Sequence, residues 1–199
     1  MKQIKICGLS RKEDIKYVNK YKPQYIGIVF ANSKRQVTLE QAKYLYDLLD
    51  SDIIAVGVFV NEELNRVVEI VNSGCIDIVQ LHGQEDADYI QKLKQQCTIK
   101  IIKAINVKQK EDMKNIHYDV DYYLLDGATS GSGESFDWSY ITTLDKPYFL
   151  AGGISLDNLD KALLVPSYGI DISSGVETNS SKDEKKIKEV IRRIRNESR

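Results

Sequence analysis

Short β-branched runs alternate with segments of helical period along the whole chain. The runs occupy 3–7, 25–30, 53–60, 76–81, 99–105, 122–125, 147–150 and 169–172, and apolar residues at helical spacing fall between them, most clearly at 39–49, 62–72, 87–96 and 182–195. Strand and helix in alternation imply parallel pairing, because parallel neighbours need a crossover long enough to hold a helix. Eight such units close a barrel better than they fill an open sheet. The expected fold is therefore α/β, a single (β/α)8 barrel of the TIM type, with residues 1–199 as one domain. A doubly wound open sheet is the alternative, but no Gly-x-Gly-x-x-Gly follows the first run. Thr38, Asn61, Asp86, Asp137 and Ser155 are N-cap residue types just ahead of periodic segments and mark the expected helix starts.

A chain of 199 residues is short for this barrel, so its loops should be short. A net charge of −1 supplies no field for nucleic acid or an anionic membrane, and an anionic ligand must be held by local groups. The basic tail from Lys182 to Arg199 is interleaved with acids and reads as a solvated, amphipathic terminal helix. Cys7, Cys75 and Cys97 are odd in number and without paired spacing, which points to a reducing compartment and away from disulfides or a structural metal. Met1 runs almost directly into the first strand, and the longest apolar run, 53–60, is too short to span a bilayer. A cytoplasmic protein with no membrane or nucleic-acid partner is expected.

Two strand endings late in the chain suggest a ligand. Leu150-Ala-Gly-Gly-Ile154 and Gly169-Ile-Asp-Ile-Ser-Ser-Gly175 both break from an apolar run into small residues. Such endings expose backbone N–H groups to an anion, and their position late in the barrel is that of a phosphate site. A small phosphorylated substrate is the first expectation.

Alternation of side chains between barrel interior and helix layer selects further candidates near the mouth. Lys5 and Cys7 share a side of the first strand, Gln80 and His82 share one at the end of the fourth, Lys103 interrupts the fifth, Asp126 ends the sixth, and Asp171 with Ser173 ends the eighth. Each also has a plain reading. Cys7 is the size of a small buried hydrophobe, and Asp126 before Gly127 suits a turn. Lys5 and Lys103 suit structural ion pairs with Asp126 or Asp171, and His82 before Gly83 suits a loop histidine bonded to backbone. Lys34 and Arg35 lie in a loop where charges are usually solvated, although Arg also matches a carboxylate bidentately. The Gly-rich stretch 126–133 is a candidate lid over the mouth.

Taken in order, seven motifs resemble phosphoribosylanthranilate isomerases, enzymes of tryptophan biosynthesis. They are Lys5-Ile-Cys-Gly8, Gly27-Ile-Val-Phe30 with Ser33-Lys-Arg-Gln-Val-Thr38, Val56-Gly-Val-Phe-Val-Asn61, Val79-Gln-Leu-His-Gly83, Gly131-Ser-Gly133 with Phe136-Asp-Trp138, Leu150-Ala-Gly-Gly153, and Asp171-Ile-Ser-Ser-Gly-Val-Glu177. The resemblance implies an Amadori rearrangement of N-(5-phosphoribosyl)anthranilate without metal or organic cofactor. It further implies Cys7 as general base, Asp126 as general acid, and Arg35 on the anthranilate carboxylate. Lys5, His82 and Asp171 join the substrate site, and Gly152, Gly153, Ser173, Ser174 and Gly175 bind phosphate. A monomer or homodimer is expected. Indoleglycerol-phosphate synthases and ribulose-phosphate epimerases are the neighbouring enzyme alternatives, and a non-catalytic phosphosugar-binding subunit is the alternative from another class. One departure is local: where the family usually has a Gly/Pro-rich turn before Lys-Asp, this chain has Thr178-Asn-Ser-Ser181.

Overall fold

The computed structural model describes residues 2–114, 116–127 and 135–196. Eight parallel strands, β1 (Gln3–Cys7), β2 (Tyr25–Val29), β3 (Ile54–Phe59), β4 (Ile78–Leu81), β5 (Lys100–Val107), β6 (Tyr122–Gly127), β7 (Tyr148–Leu150) and β8 (Gly169–Ile172), pair in chain order. β8 returns to β1, with Lys5 opposite Asp171, and the barrel closes as the alternation requires. Strand parity sorts the residues into two cores. Tyr25, Val56, Ile78, Ile102, Leu124 and Phe149 fill the interior, while Ile4, Ile6, Ile26, Ile28, Ile101 and Ile170 face the helices. The N-terminal end of the interior is plugged by rings. Tyr25 stands edge-on to Phe149 at 5.2 Å between centroids, and its hydroxyl meets that of Tyr168 at 3.0 Å. The barrel interior itself is therefore filled at this end, and polar inward positions fall toward the other.

The outer layer holds α1 (Lys12–Tyr21), α2 (Leu39–Asp47), α3 (Leu64–Asn72), α4 (Ala87–Gln96), α5 (Leu159–Leu164) and α6 (Glu184–Asn196). Thr38 and Asp86 cap α2 and α4 as expected, their side chains accepting from the N–H groups of Gln41 and Tyr89. Three other expected caps differ. Asn61 sits at φ 51° two residues ahead of the Glu63 cap position of α3, and its Oδ1 accepts from the Gln84 N–H. Ser155 opens a turn, and Asn158 occupies the cap position of α5. Asp137 caps only a 3₁₀ turn (Trp138–Tyr140). The segment after it, Ile141-Thr-Thr ahead of Pro147, is β-branched and ends on a proline, which disfavours a longer helix. The β5-to-β6 crossover likewise carries a 3₁₀ turn (Lys110–Met113) among its described residues. No helix of the described residues is long and apolar enough to cross a membrane.

The tail requires a second correction. α6 starts at Glu184, and Ile187, Val190, Ile191 and Ile194 form its buried stripe. Lys182 lies ahead of it in a hairpin of β9 (Glu177–Thr178) and β10 (Ser181–Lys182) and is buried, not solvated. Asn179 and Ser180 turn the hairpin at φ 52° and 60°. Two consecutive positive φ values are what a tight two-residue hairpin needs. The atypical segment thus supplies the turn that carries Lys182 inward.

Lys103 also departs from expectation. On β5 the inward positions are even-numbered, so Lys103 faces the outer layer, where its Nζ meets Glu85 Oε2 at 2.9 Å and the Gly83 carbonyl at 2.8 Å. Glu85 in turn accepts from the N–H groups of Asn61 and Gly83. This buried pair ties the loops after β3 and β4 together beside His82. Removing one partner of such a pair strands the other charge. Lys103→Met is therefore expected to lower unfolding free energy by about 3 kcal/mol in denaturant titrations, and a loss below about 1 kcal/mol, the scale of a surface pair, would contradict this role.

Candidate active site

A cavity of about 360 Å³ opens at the C-terminal ends of the strands and is lined by Cys7, Arg35, Gln80, His82, Asp126, Gly152, Gly153, Asp171, Ser173 and Ser174 among others. A wider groove of about 760 Å³ lies at the opposite end. Its acids are committed to the fold: Asp77 accepts from the Ala55 N–H and the Tyr46 hydroxyl, and Asp121 from the Ile101 N–H. Of these two, the first gathers polar groups that the strands do not consume. Most of the expected site residues meet there.

On one wall, β1 directs Lys5 and Cys7 inward, and β8 directs Asp171 beside them. Lys5 is fully buried and its Nζ lies 3.0 Å from Asp171 Oδ1. Burial works to lower the Lys5 pKa, but the charge of Asp171 opposes it and the ammonium is held above its ordinary value. For Cys7 burial dominates in the other sense: it pushes the thiol up, against the pull of Lys5. Lys5 is thus both an ion-pair partner and a neighbour of the thiol. Gly27 makes room for this arrangement, since a Cβ there would lie 2.5 Å from Cys7 Sγ.

Across the cavity, β6 presents Asp126 and β4 presents His82. His82 Nε2 lies 3.1 Å from Asp126 Oδ2, and its Nδ1 lies 2.8 Å from Gln80 Nε2. An amide nitrogen only donates, so this assignment puts the imidazole proton on Nε2, where it is donated to Asp126. His82 is therefore tied to the carboxylate rather than to backbone alone. Asp126 Oδ1 accepts from the Gly127 N–H. The rest of the Gly-rich stretch, 128–133, lies outside the described residues.

The two small-residue endings adjoin one another, joined by a bridge between Ser155 and Gly175. Gly152 and Gly153 take φ 83° and 60°, a conformation disfavoured for residues with a Cβ, and a Cβ on Gly152 would also lie 2.8 Å from Asp126 Oδ1. After β8 the chain makes a helical turn, with the N–H groups of Val176 and Glu177 donating to Ser173 and Ser174 carbonyls. The start of that turn faces the cavity, as anion binding requires. Ser173 differs from expectation in one respect: its hydroxyl donates to the Cys7 carbonyl at 3.1 Å.

Arg35 lines the cavity and is half-buried rather than freely solvated. Its Nε and Nη2 donate to Glu177 Oε1 and Oε2 at 2.7 and 2.8 Å. Glu177 also accepts from Lys182 Nζ at 2.6 Å, and Lys182 donates to the Ser173 carbonyl at 3.0 Å. Burial would raise the Glu177 carboxyl, but Arg35 and Lys182 outweigh it and hold it below the ordinary range. Burial lowers Lys182, with Glu177 opposing. Lys34 is exposed beside this cluster. Glu177 and Lys182 are the site residues that sequence reasoning missed. A lysine in a basic tail carries no periodic signal of burial, whereas the acid directly after the small-residue turn was a usable one.

Residues 4–193 match the family model described as N-(5'phosphoribosyl)anthranilate (PRA) isomerase. The N-(5'-phosphoribosyl)anthranilate isomerase of Clostridium acetobutylicum is 46% identical, over 98% of each chain, and that of Acetivibrio thermocellus is 45% identical over 96% of this chain and 95% of its own. Among solved structures, phosphoribosyl anthranilate isomerase from Thermotoga maritima superposes with a TM-score of 0.89 at 32% identity, covering 98% of this chain and all (100%) of that one. A phosphoribosyl anthranilate isomerase in complex with reduced 1-(o-carboxyphenylamino)-1-deoxyribulose 5-phosphate gives 0.83 at 29% identity, with the same coverage. Sequence and fold agree over nearly the full length, and the chain belongs to the N-(5'-phosphoribosyl)anthranilate isomerase family.

Proposed function

We propose that this barrel isomerises N-(5'-phosphoribosyl)anthranilate to 1-(o-carboxyphenylamino)-1-deoxyribulose 5-phosphate, with Asp126 as general acid and Cys7 as general base. The observation that carries the assignment is the pairing of an acid and a base candidate on different walls of one cavity, each with its own partner: His82 at Asp126, Lys5 at Cys7. Opening the aminofuranose needs a proton on the ring oxygen as the C1–O bond breaks. Asp126, in its protonated form, delivers it and is left a carboxylate that His82 keeps aimed. The iminium that results acidifies the C2 proton, which Cys7 takes, leaving an enolamine that tautomerises to the ketone.

The thiol must act as thiolate, and burial disfavours that state in the ligand-free protein. Formation of the iminium resolves the conflict. A positive charge beside Cys7, added to that of Lys5, favours the thiolate at the moment a base is needed. The thiol proton passes to the carboxylate that Asp126 became on protonating the ring oxygen, so that after Cys7 takes the C2 proton both groups are back in their starting forms. Phosphate is held by the ends of β7 and β8 through Gly152, Gly153, Ser174 and Gly175, with Ser173 shaping the turn. Arg35 meets the anthranilate carboxylate, and Asp171 keeps Lys5 charged and in place.

Cys7→Ala and Asp126→Asn are each expected to fold and to lose at least about a hundredfold in kcat, read from the decay of substrate fluorescence. Near-normal kcat in either variant removes that residue's role. Arg35→Ala is expected to weaken substrate binding by roughly 1.5–3 kcal/mol, and Arg35→Lys to restore only part of it, since an ammonium lacks the guanidinium fork. Full rescue by Lys would argue for a simple charge contact.

Thiol reactivity tests the electrostatics directly. The pH profile of Cys7 alkylation by iodoacetamide, followed by peptide mass spectrometry, should inflect above the ordinary thiol range in the ligand-free protein. Lys5→Gln should move it further up, because the residue removed favours the thiolate. An inflection below the ordinary range, or a downward shift in the variant, contradicts this picture.

A further inference from the structure

Arg35 offers two hydrogen-bonding edges, and only one is in use. The Nε/Nη2 edge is held by both oxygens of Glu177, whereas Nη1 has no partner among the described residues. Arg35 borders the cavity and Glu177 does not, so the carboxylate sits behind the guanidinium. The arginine's stem is packed as well: it passes over Gly8, just after β1, where a Cβ would lie 2.3 Å from Arg35 Cδ. Glu177 is itself anchored by Lys182, whose ammonium also holds the Ser173 carbonyl at the start of the anion-binding turn.

We propose that Glu177 is a positioning and specificity-determining residue: by gripping the rear edge of Arg35 it presents the front edge, Nη1 and the remaining Nη2 hydrogen, to an aromatic carboxylate, and through Lys182 it ties that arm to the phosphate turn. This rests on the reading of Arg35 given above. A guanidinium held on one edge is pre-organised, so a carboxylate binding the other edge orders little additional side chain. The two anionic ends of the substrate are then recognised by parts of one hydrogen-bonded unit, with Glu177 as the shared node. A phosphosugar without the ring carboxylate uses only the turn. Glu177 therefore governs discrimination between ligands more than affinity for phosphate.

The test compares two ligands by calorimetry: reduced 1-(o-carboxyphenylamino)-1-deoxyribulose 5-phosphate, and the same molecule with a phenyl ring lacking the carboxylate. Their affinity ratio reports recognition of the carboxylate. In the unaltered chain the ratio should be at least about tenfold, the scale of a charged hydrogen bond, and Arg35→Ala should bring it near one. Glu177→Gln should lower the ratio at least about threefold while changing affinity for the carboxylate-free ligand by less than about twofold, and should have no further effect on the ratio in the Arg35→Ala background. Glu177→Asp keeps the charge beside Lys182 but is one methylene too short for the two-oxygen grip. It should reproduce the fall in ratio if the Gln variant does not fold. If Arg35→Ala keeps the full ratio, the reading of Arg35 fails. If Arg35→Ala abolishes it while the Glu177 variants leave it unchanged, raise it, or weaken both ligands equally, Arg35 stands and the positioning role is overturned.

Discussion

Closure of the barrel is the constraint on which the site depends. In a closed sheet every second residue of every strand points into one small interior, and those side chains must either pack against each other or reach the mouth. Here Tyr25, Phe149, Tyr122 and Tyr168 fill the N-terminal end as a ring cluster, and Val56, Ile78, Ile102 and Leu124 occupy the layers above. Lys5, Gln80, Asp126 and Asp171 are inward residues near the C-terminal ends of their strands. Their burial is tolerable because Lys5 meets Asp171 across β1 and β8, Asp126 meets His82 from the end of β4, and Gln80 Nε2 lies against His82 at the end of its own strand. The polar ring at the mouth is thus the topological remainder of a packed interior.

The charges around Cys7 show how such a ring works in a chain of net charge −1. Lys5 is matched by Asp171, and Glu177 is shared between Arg35 and Lys182. Three cations against two carboxylates leave the wall locally positive without a basic surface. The net charge supplies no long-range field for an anion, and the attraction is local to this wall, where buried charges act more strongly than exposed ones. The same wall holds the thiol protonated at rest, because burial outweighs the neighbouring ammonium.

What was legible in the sequence follows from periodicity. All eight strands appear where β-branched runs stand, and parity alone put Lys5, Cys7, Gln80, His82, Asp126, Asp171 and Ser173 on the inner face. Lys103 shows the rule applied without counting: it is one residue out of phase with Ile102 and Ala104, and so faces Glu85. Asn61 has cap chemistry, but its side chain joins the loops after β3 and β4, which a local rule does not see. Ser155, three residues ahead of the observed cap position, instead closes a local turn, its hydroxyl accepting from the Asp157 N–H. Lys182 is the plainest limit. Its burial depends on the positive φ of Asn179 and Ser180 and on Glu177, contacts that exist only once the hairpin is formed.

That hairpin also explains why the departure from the usual Gly/Pro-rich turn is tolerated. The turn must reverse the chain between Glu177 and Lys182 in two residues so that the acid and the ammonium end side by side. Asn is among the residue types that adopt left-handed backbone at modest cost, and a serine beside it is held there by the cross-strand pairing of Thr178 with Ser181. The register then sets Lys182 opposite Glu177, within reach of the Ser173 carbonyl. What the fold demands at this point is therefore a register and not a composition. Any turn that returns the lysine to Glu177 preserves the link between the anion-binding turn and Arg35, whatever residues make the bend.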